Sequence, residues 1–436
     1  MKKSYSFLII VSLSIISVGK TTLLSAQPSL SAIEKKIGQT VEEQWSSTLS
    51  LLQSSVNINS GTYNIKGVRA VGELYANELR AIGFTVEWVE LPDSMQRAGH
   101  LVAYRKGTKG KKLFLIGHLD TVFEPDMPAN PFTMLNDSTA TGQGINDMKG
   151  GDVAIIAALK ALHQQGALDQ TTITVYMTGD EENAGYPREI SRGDFISRAK
   201  EHDIALAFET AAGMHSIATA RRGASGWHLE VEGRQAHSSG VFGAVGYGSI
   251  YEAARIINSF RERLSKEQYL TFNPGLIVGG SEVQYNEEEQ QGRVSGKTNI
   301  ISPRTFANGD LRFISEQQKE NARSVMREIV AQSLPGTKAT IRFVDGIPSM
   351  PPTKGNTQLA AQLSEVSQAL GLGKVEPGNP GSRGAGDISY VAKYLDCLDG
   401  LGASGKGAHA PGETINLYEF PKLTKRAALF IYRLTR

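Results

Sequence analysis

The sequence predicts an α/β protein: a mainly parallel or mixed sheet flanked by helices, into which a smaller α+β unit of ferredoxin-like topology is inserted. Three observations predict it. From Thr85 onward, short apolar runs alternate with stretches of helical period. Around 221–223 the order changes to β-α-β-β-α-β. Beyond Pro348, Pro351 and Pro352 the earlier mixture of helix and strand signals resumes. A length of 436 residues allows two or three domains, and a 40% hydrophobic composition supplies ample core material. The expected division is a leader over 1–26, a main domain made of 27–221 and 346–436, and an inserted domain over 222–345.

The first strands are expected over 85–91, 100–104 and 113–117. The last of these is a continuous apolar run, the pattern of a strand buried on both faces. A helix follows over 152–165, where Val153, Ile156, Ala157, Leu159 and Leu162 recur near helical period between Gly150-Gly151 and Gly166. Strands over 172–177 and 204–208 complete the first part. In such sheets functional groups gather beyond the carboxyl ends of the strands, where His118, Glu181 and Glu209 lie.

In the insertion, strands are expected over 227–231, 276–278, 310–313 and 340–344, with helices over 246–260 and 315–331. Ser315-Glu316-Gln317-Gln318 opens the second helix as a capping box. The run 284–292, with Glu287, Glu288 and Glu289, reads as a solvated loop. A helix over 357–369, a Gly-rich segment over 378–386 and a terminal helix over 417–434 close the chain.

Lys2 and Lys3 precede an apolar stretch over 7–18 that ends near Ser25-Ala26, the pattern of a secretory signal peptide. The run is too short for an ordinary membrane span. Lys20 and Leu24 depart from the ideal cleavage pattern, so an uncleaved anchor is the alternative. No Cys follows the run to carry a lipid. The expected location is secreted or periplasmic. The formal net charge is +2, and loss of Lys2, Lys3 and Lys20 takes it to −1. No basic stripe is present, which argues against nucleic acid as a partner. The single Cys397 excludes an intrachain disulfide and a Cys-rich zinc site, and reads as a small buried hydrophobe.

The chemistry-bearing residues are His118, Asp120, Asp147, Glu181, Glu182, Glu209 and His409. Each ends an apolar run or sits in a Gly-rich loop, and together two histidines and several carboxylates suit a hydrolytic metal centre. His118 and Asp120 are two apart after a strand, so both fall on one face if the extended geometry continues. Asp120 is then placed to hold the other imidazole nitrogen. A surface loop with an incidental pair is the competing reading. Asp147, among the glycines of 142–151, can bridge two zinc ions or can be a helix-start Asp at the positive end of the dipole. The adjacent Glu181 and Glu182 repel each other, which a cation would offset. One can ligate while the other takes a proton from water, unless the pair belongs to an exposed acidic loop. Glu209 stands at a strand tip, and His409 lies in a Gly-rich stretch with no apolar face to fill. His237, in Ala236-His237-Ser238, is open to three readings: ligand, hydrogen-bond donor or exposed side chain.

In their order these motifs resemble the glutamate carboxypeptidase and aminoacylase family of two-zinc peptidases, from about Ile65 to the carboxyl end. The resemblance implies a zinc-peptidase catalytic domain with an inserted lid or dimerisation domain. It implies that Asp147 bridges two zinc ions, that His118 and Glu209 complete one site, and that Glu182 and His409 complete the other. Glu181 would be the general base and Asp120 the partner of His118. The inserted domain would form a homodimer and lend His237 to the neighbouring active site as an oxyanion donor. Asn299 and Arg312 fall where glutamate carboxypeptidases hold the terminal carboxylate, a task that suits the fork of an Arg. Cobalt or manganese would also fit such ligands.

One departure stands out. The family's further substrate-binding Arg, in an Arg-Gly-Arg-Pro-like stretch, has no counterpart in Asp345-Gly346-Ile347-Pro348-Ser349. Arg222 or Arg383 is left to replace it. The expected function is a zinc-dependent carboxypeptidase acting on short peptides or N-acyl amino acids. An N-acyl amino acid deacylase or a dipeptidase of the same architecture is the alternative. A non-catalytic peptide-binding relative would have lost a ligand or the base, and this chain keeps all five ligands and Glu181.

Overall fold

A computed structural model describes residue 1 and residues 29–287 and 289–436. Apart from Met1, the leader expected over 1–26 lies outside the described residues, and so does Glu288. No helix among the described residues is long and apolar enough to cross a membrane.

The central sheet has six strands in the order Thr85–Val89, His100–Arg105, Thr171–Thr178, Lys109–His118, Ile204–Ala207 and Asp396–Asp399. The last four run parallel to one another and only His100–Arg105 runs against the rest, pairing antiparallel with both its neighbours, so the sheet is mixed as expected. The run 113–117 is apolar throughout because its two faces meet two cores. Leu113 and Leu115 pack into the larger core, with residues of the helices Ile65–Ala81, Gly150–Gln164 and Phe420–Thr435. Phe114 and Ile116 point the other way, toward Phe195, Ile388 and Tyr390. Cys397 is fully buried in that second core, in keeping with a packing role.

Three helices precede the first strand, Ala32–Glu43, Trp45–Val56 and Ile65–Ala81, and the sequence reading did not anticipate them. A readable signal existed for the first. Ser31 and Glu34 form a capping box, with the Glu34 N–H donating to Ser31 Oγ at 3.4 Å and the Ser31 N–H to Glu34 Oε2 at 2.7 Å.

The inserted unit is an antiparallel sheet in the order Thr271–Gly280, Arg304–Phe313, Gly223–Gly233 and Thr337–Asp345. Trp227, Leu229 and Val231 pack beneath the helices Gly248–Leu264 and Glu316–Val330. The expected loop over 284–292 is a correction: Glu282–Asn286 and Gln291–Ser295 form a hairpin. Alternation decides it, because Val283 faces Val294 and Tyr285 stacks on Phe306 with ring centroids 5.0 Å apart. Asn308 Nδ2 also donates to Tyr285 Oη at 2.9 Å. Glu287 and Glu289 lie in the turn between the two strands.

The Gly-rich stretch that carries His409 is a turn held between two short strands. It is framed by Gly405–Lys406 and Thr414–Asn416, and the latter pairs with Thr139–Thr141, just before the Gly-rich loop of Asp147. This small sheet joins the late part of the chain to the early one.

Candidate metal centre

The parallel strands bring the predicted residues to one edge. His118 ends its strand opposite Thr178, and two residues beyond Thr178 the chain reaches Asp180-Glu181-Glu182. Glu209 follows the neighbouring strand Ile204–Ala207. Asp147 arrives from the Gly-rich loop, where Gly144 takes the left-handed conformation with φ 64° that an L side chain would resist.

Two ligand-like clusters result, each with its donor atoms within 4.8 Å of one another: His118, Asp147 and Glu209, and Asp147, Glu182 and His409. They share Asp147, whose two oxygens face different histidines. Oδ1 lies 3.3 Å from His118 Nε2 and Oδ2 lies 3.0 Å from His409 Nε2. Glu209 Oε1 is 3.7 Å from His118 Nε2, and Glu182 Oε2 is 3.2 Å from His409 Nε2. Glu182 Oε1 is buried without a protein hydrogen-bond partner, which suits an oxygen that ligates a cation. Imidazole nitrogens with carboxylate oxygens are donors fitted to zinc, cobalt or manganese, so the residues present fit a two-metal site.

Asp120 works on both sides of the cleft. Its main-chain carbonyl accepts from His118 Nδ1 at 3.0 Å, while its carboxylate lies 3.5 Å from the same nitrogen. That contact places the Nδ1 proton and turns Nε2 toward Asp147 and Glu209. The carboxylate itself accepts the N–H of Glu181 at 2.9 Å, the N–H of Glu182 at 3.1 Å and Thr62 Oγ1 at 2.6 Å. Asp120 therefore holds the acidic pair as well as the histidine. Sequence reasoning gave it only the second task.

Beneath that loop lies a set of residues the sequence did not disclose. Arg192 is buried and donates from Nη1 to Asp180 Oδ1 at 2.5 Å and from Nε to Asp387 Oδ1 at 2.7 Å. Asp180 also accepts the Gly185 N–H and Ser191 Oγ, and Asp387 accepts Thr178 Oγ1. Nothing local marks Arg192 as a partner of Asp387, which lies far along the chain. Only the folded sheet brings them together.

Electrostatics follow the crowding of carboxylates. Burial and then the charge of Glu209 raise the Glu181 carboxyl well above its usual range. Glu209 is pushed up to about 7 by burial and by Asp147. Asp147 is lowered: burial opposes its charge, but His118 and His409 outweigh it. His409 is pushed up to about 11 by Asp147 and Glu182. Burial works against a charge on His118, yet Asp120 and Asp147 hold it well above the ordinary value. Without a bound cation both histidines thus hold a proton at neutral pH, and a ligating imidazole nitrogen must be free of it. Loading the centre at pH 7 is expected to release protons, and metal affinity is expected to rise with pH. Calorimetric titration in buffers of different ionisation enthalpy measures this. Heats that do not change with buffer would contradict it.

The remaining predicted residues stay apart from these clusters. His237 Nδ1 lies 2.9 Å from Ser239 Oγ, and the Asn299 carbonyl accepts the Ser238 N–H at 2.9 Å. Arg312 Nε donates to Asp310 Oδ2 at 2.9 Å. Among the described residues, none of their hydrogen bonds leaves the inserted domain.

Similarity to known proteins identifies the family. Carboxypeptidase G2 of a Pseudomonas species (strain RS-16) is 27% identical over 402 residues, covering 90% of each chain. Succinyl-diaminopimelate desuccinylase of Gluconacetobacter diazotrophicus is 24% identical, covering 84% of this chain and 91% of its own. Among solved structures, the aminopeptidase PepT of Bacillus cereus shares the fold with a TM-score of 0.70 at 16% identity, over 90% of this chain and 99% of its own. A dinuclear metal-binding peptidase of Bacillus subtilis does so with a TM-score of 0.62 at 14% identity, over 90% and 99%. The model of peptidase family M20/M25/M40 matches residues 114–433, a span that runs from the His118 strand past His409. With that match over most of its length and both ligand-like clusters inside it, the chain belongs to peptidase family M20/M25/M40, hydrolases of peptide and amide bonds.

Proposed function

We propose that this protein is a zinc-dependent carboxypeptidase that removes the terminal amino acid from short peptides or N-acyl amino acids. The observation that carries the reading is the split of Asp147 between two histidines, with Glu181 beside both clusters. His118, Asp147 and Glu209 would hold one ion, and Asp147, Glu182 and His409 the other. Zinc held there would supply Lewis-acid polarisation of the scissile carbonyl and of a water.

The chain's own residues do the rest. Glu181 takes a proton from the attacking water, whose oxygen adds to the carbonyl carbon. When the C–N bond breaks, Glu181 returns that proton to the amine nitrogen. Its raised affinity for protons matches the first half of this exchange, since a carboxylate of ordinary basicity would take a proton from water poorly. Asp120 keeps Glu181 and Glu182 in place through their N–H groups, so base and ligand hold their separate directions.

The geometry favours Arg383 over Arg222 as the replacement for the missing substrate Arg. Arg222 is committed elsewhere: Nη1 donates to Thr271 Oγ1 at 3.1 Å and Nη2 to the Gly381 carbonyl at 3.0 Å. Arg383 Nη2 donates to the Thr210 carbonyl at 2.5 Å, one residue past Glu209. Among the described residues its other guanidinium N–H groups have no hydrogen-bond partner, so a fork remains for a substrate carboxylate. Release of the terminal residue is expected from N-blocked dipeptides, and it should stop with chelator. Activity indifferent to chelator, or confined to free dipeptides with no release from N-blocked substrates, would overturn this reading. In the same assay Arg383→Ala is expected to lower kcat/KM by roughly 10- to 100-fold on substrates with a free terminal carboxylate, the usual loss of a charge-assisted contact. Terminal amides should be little affected, and an equal fall on both would remove Arg383 from the pocket.

A further inference from the structure

We infer that Glu413 is the positioning residue that joins the two parts of the metal centre: its carboxylate fixes the backbone of Asp147 while its own loop carries His409. The inference rests on the ligand assignment proposed above. Glu413 is fully buried. Its Oε1 accepts the N–H of Asn146 at 2.6 Å and of Asp147 at 2.8 Å, and its Oε2 accepts the N–H of Gly144 at 3.2 Å. Successive main-chain amides turned inward form a concave anion site. Here a carboxylate of the same chain fills it.

The other end of the residue is tied just as directly. The Glu413 carbonyl accepts Thr141 Oγ1 at 2.6 Å and the Gly142 N–H at 3.3 Å, on the approach to the same loop. Its N–H donates to the carbonyl of Ala410, next to His409, at 3.2 Å. His409 itself has a side chain 59% exposed and a left-handed φ of 64°. No strand holds it; the turn 407–413 does, and Glu413 ends that turn. His118 is placed differently, at the end of a buried strand and braced by Asp120. Losing Glu413 therefore loosens Asp147 and His409 relative to each other, and the cluster with Glu182 depends on both. The cluster with His118 and Glu209 keeps two ligands that Glu413 does not touch.

The test is a stepwise zinc titration of the metal-stripped full chain, with bound zinc counted after gel filtration and thermal melts run in parallel. Glu413→Gln keeps the side-chain volume but turns an NH2 group toward a main-chain N–H. It is expected to weaken uptake of the second zinc by about 10- to 100-fold while the first stays close to the parental affinity. Glu413→Ala is expected to go further. Should the alanine variant fold poorly, the glutamine variant decides alone. Two zincs bound with parental affinities and only a lowered melting temperature would overturn the inference, as would equal weakening of both. His409→Ala serves as reference and should retain one zinc. If it binds two, the ligand assignment fails. If it binds one while Glu413→Gln binds two normally, only the role of Glu413 fails.

Discussion

Glu181→Gln is expected to slow hydrolysis by about 10²–10⁴-fold, the usual worth of a positioned general base, while two metal ions stay bound. The separation of the two effects is the informative part. Glu181 belongs to neither ligand cluster, and its main-chain N–H, not its side chain, is what Asp120 holds. Substitution at the side chain leaves that bond and the adjacent Glu182 in place. Turnover and metal content measured on the same preparation check it. A variant that loses metal in step with activity would make Glu181 a ligand, and one that hydrolyses normally would end the proposed mechanism.

Asp147→Ala is expected to have the broader effect: both ions are lost together, and activity falls below detection even with added zinc. Each cluster keeps only two of its three donors once Asp147 is gone. The two histidines and the remaining carboxylates then face one another with no shared anion between them. Removal of any terminal ligand should cost one ion; removal of the bridge should cost two. Metal analysis across a dilution series reads the difference, and one tightly held ion in Asp147→Ala would show that the sites are independent.

Much of this was legible in the sequence because strand ends are local events. The apolar run 113–117 and the change to His118 announce a buried strand reaching an edge, and the same holds for Glu209 after 204–208. The inserted β-α-β-β-α-β order was readable for the same reason, since each element carries its own period. The hairpin over 282–295 was missed because three consecutive acids outweighed the alternation of Val283 and Tyr285 before the turn and Val294 after it. The helices before Thr85 were missed although the Ser31 and Glu34 box was present. What no local pattern holds is the pairing of distant parts: Arg192 with Asp387, or Glu413 with the loop of Asp147. The sequence also cannot weigh Arg222 against Arg383, because their difference is which main-chain carbonyl each one meets.

The late strand Thr414–Asn416, paired with Thr139–Thr141, has a consequence for how the protein is made. A chain emerging from the ribosome carries His118, Asp147 and Glu209 well before His409 and Glu413, the last of which follows Asp147 by 266 residues. Until that strand pairs, the second cluster has no histidine and the Asp147 loop has no buried carboxylate to hold it. The second cluster therefore forms only after the inserted domain and the late strand have been made, whereas the first draws all its ligands from the early part of the chain.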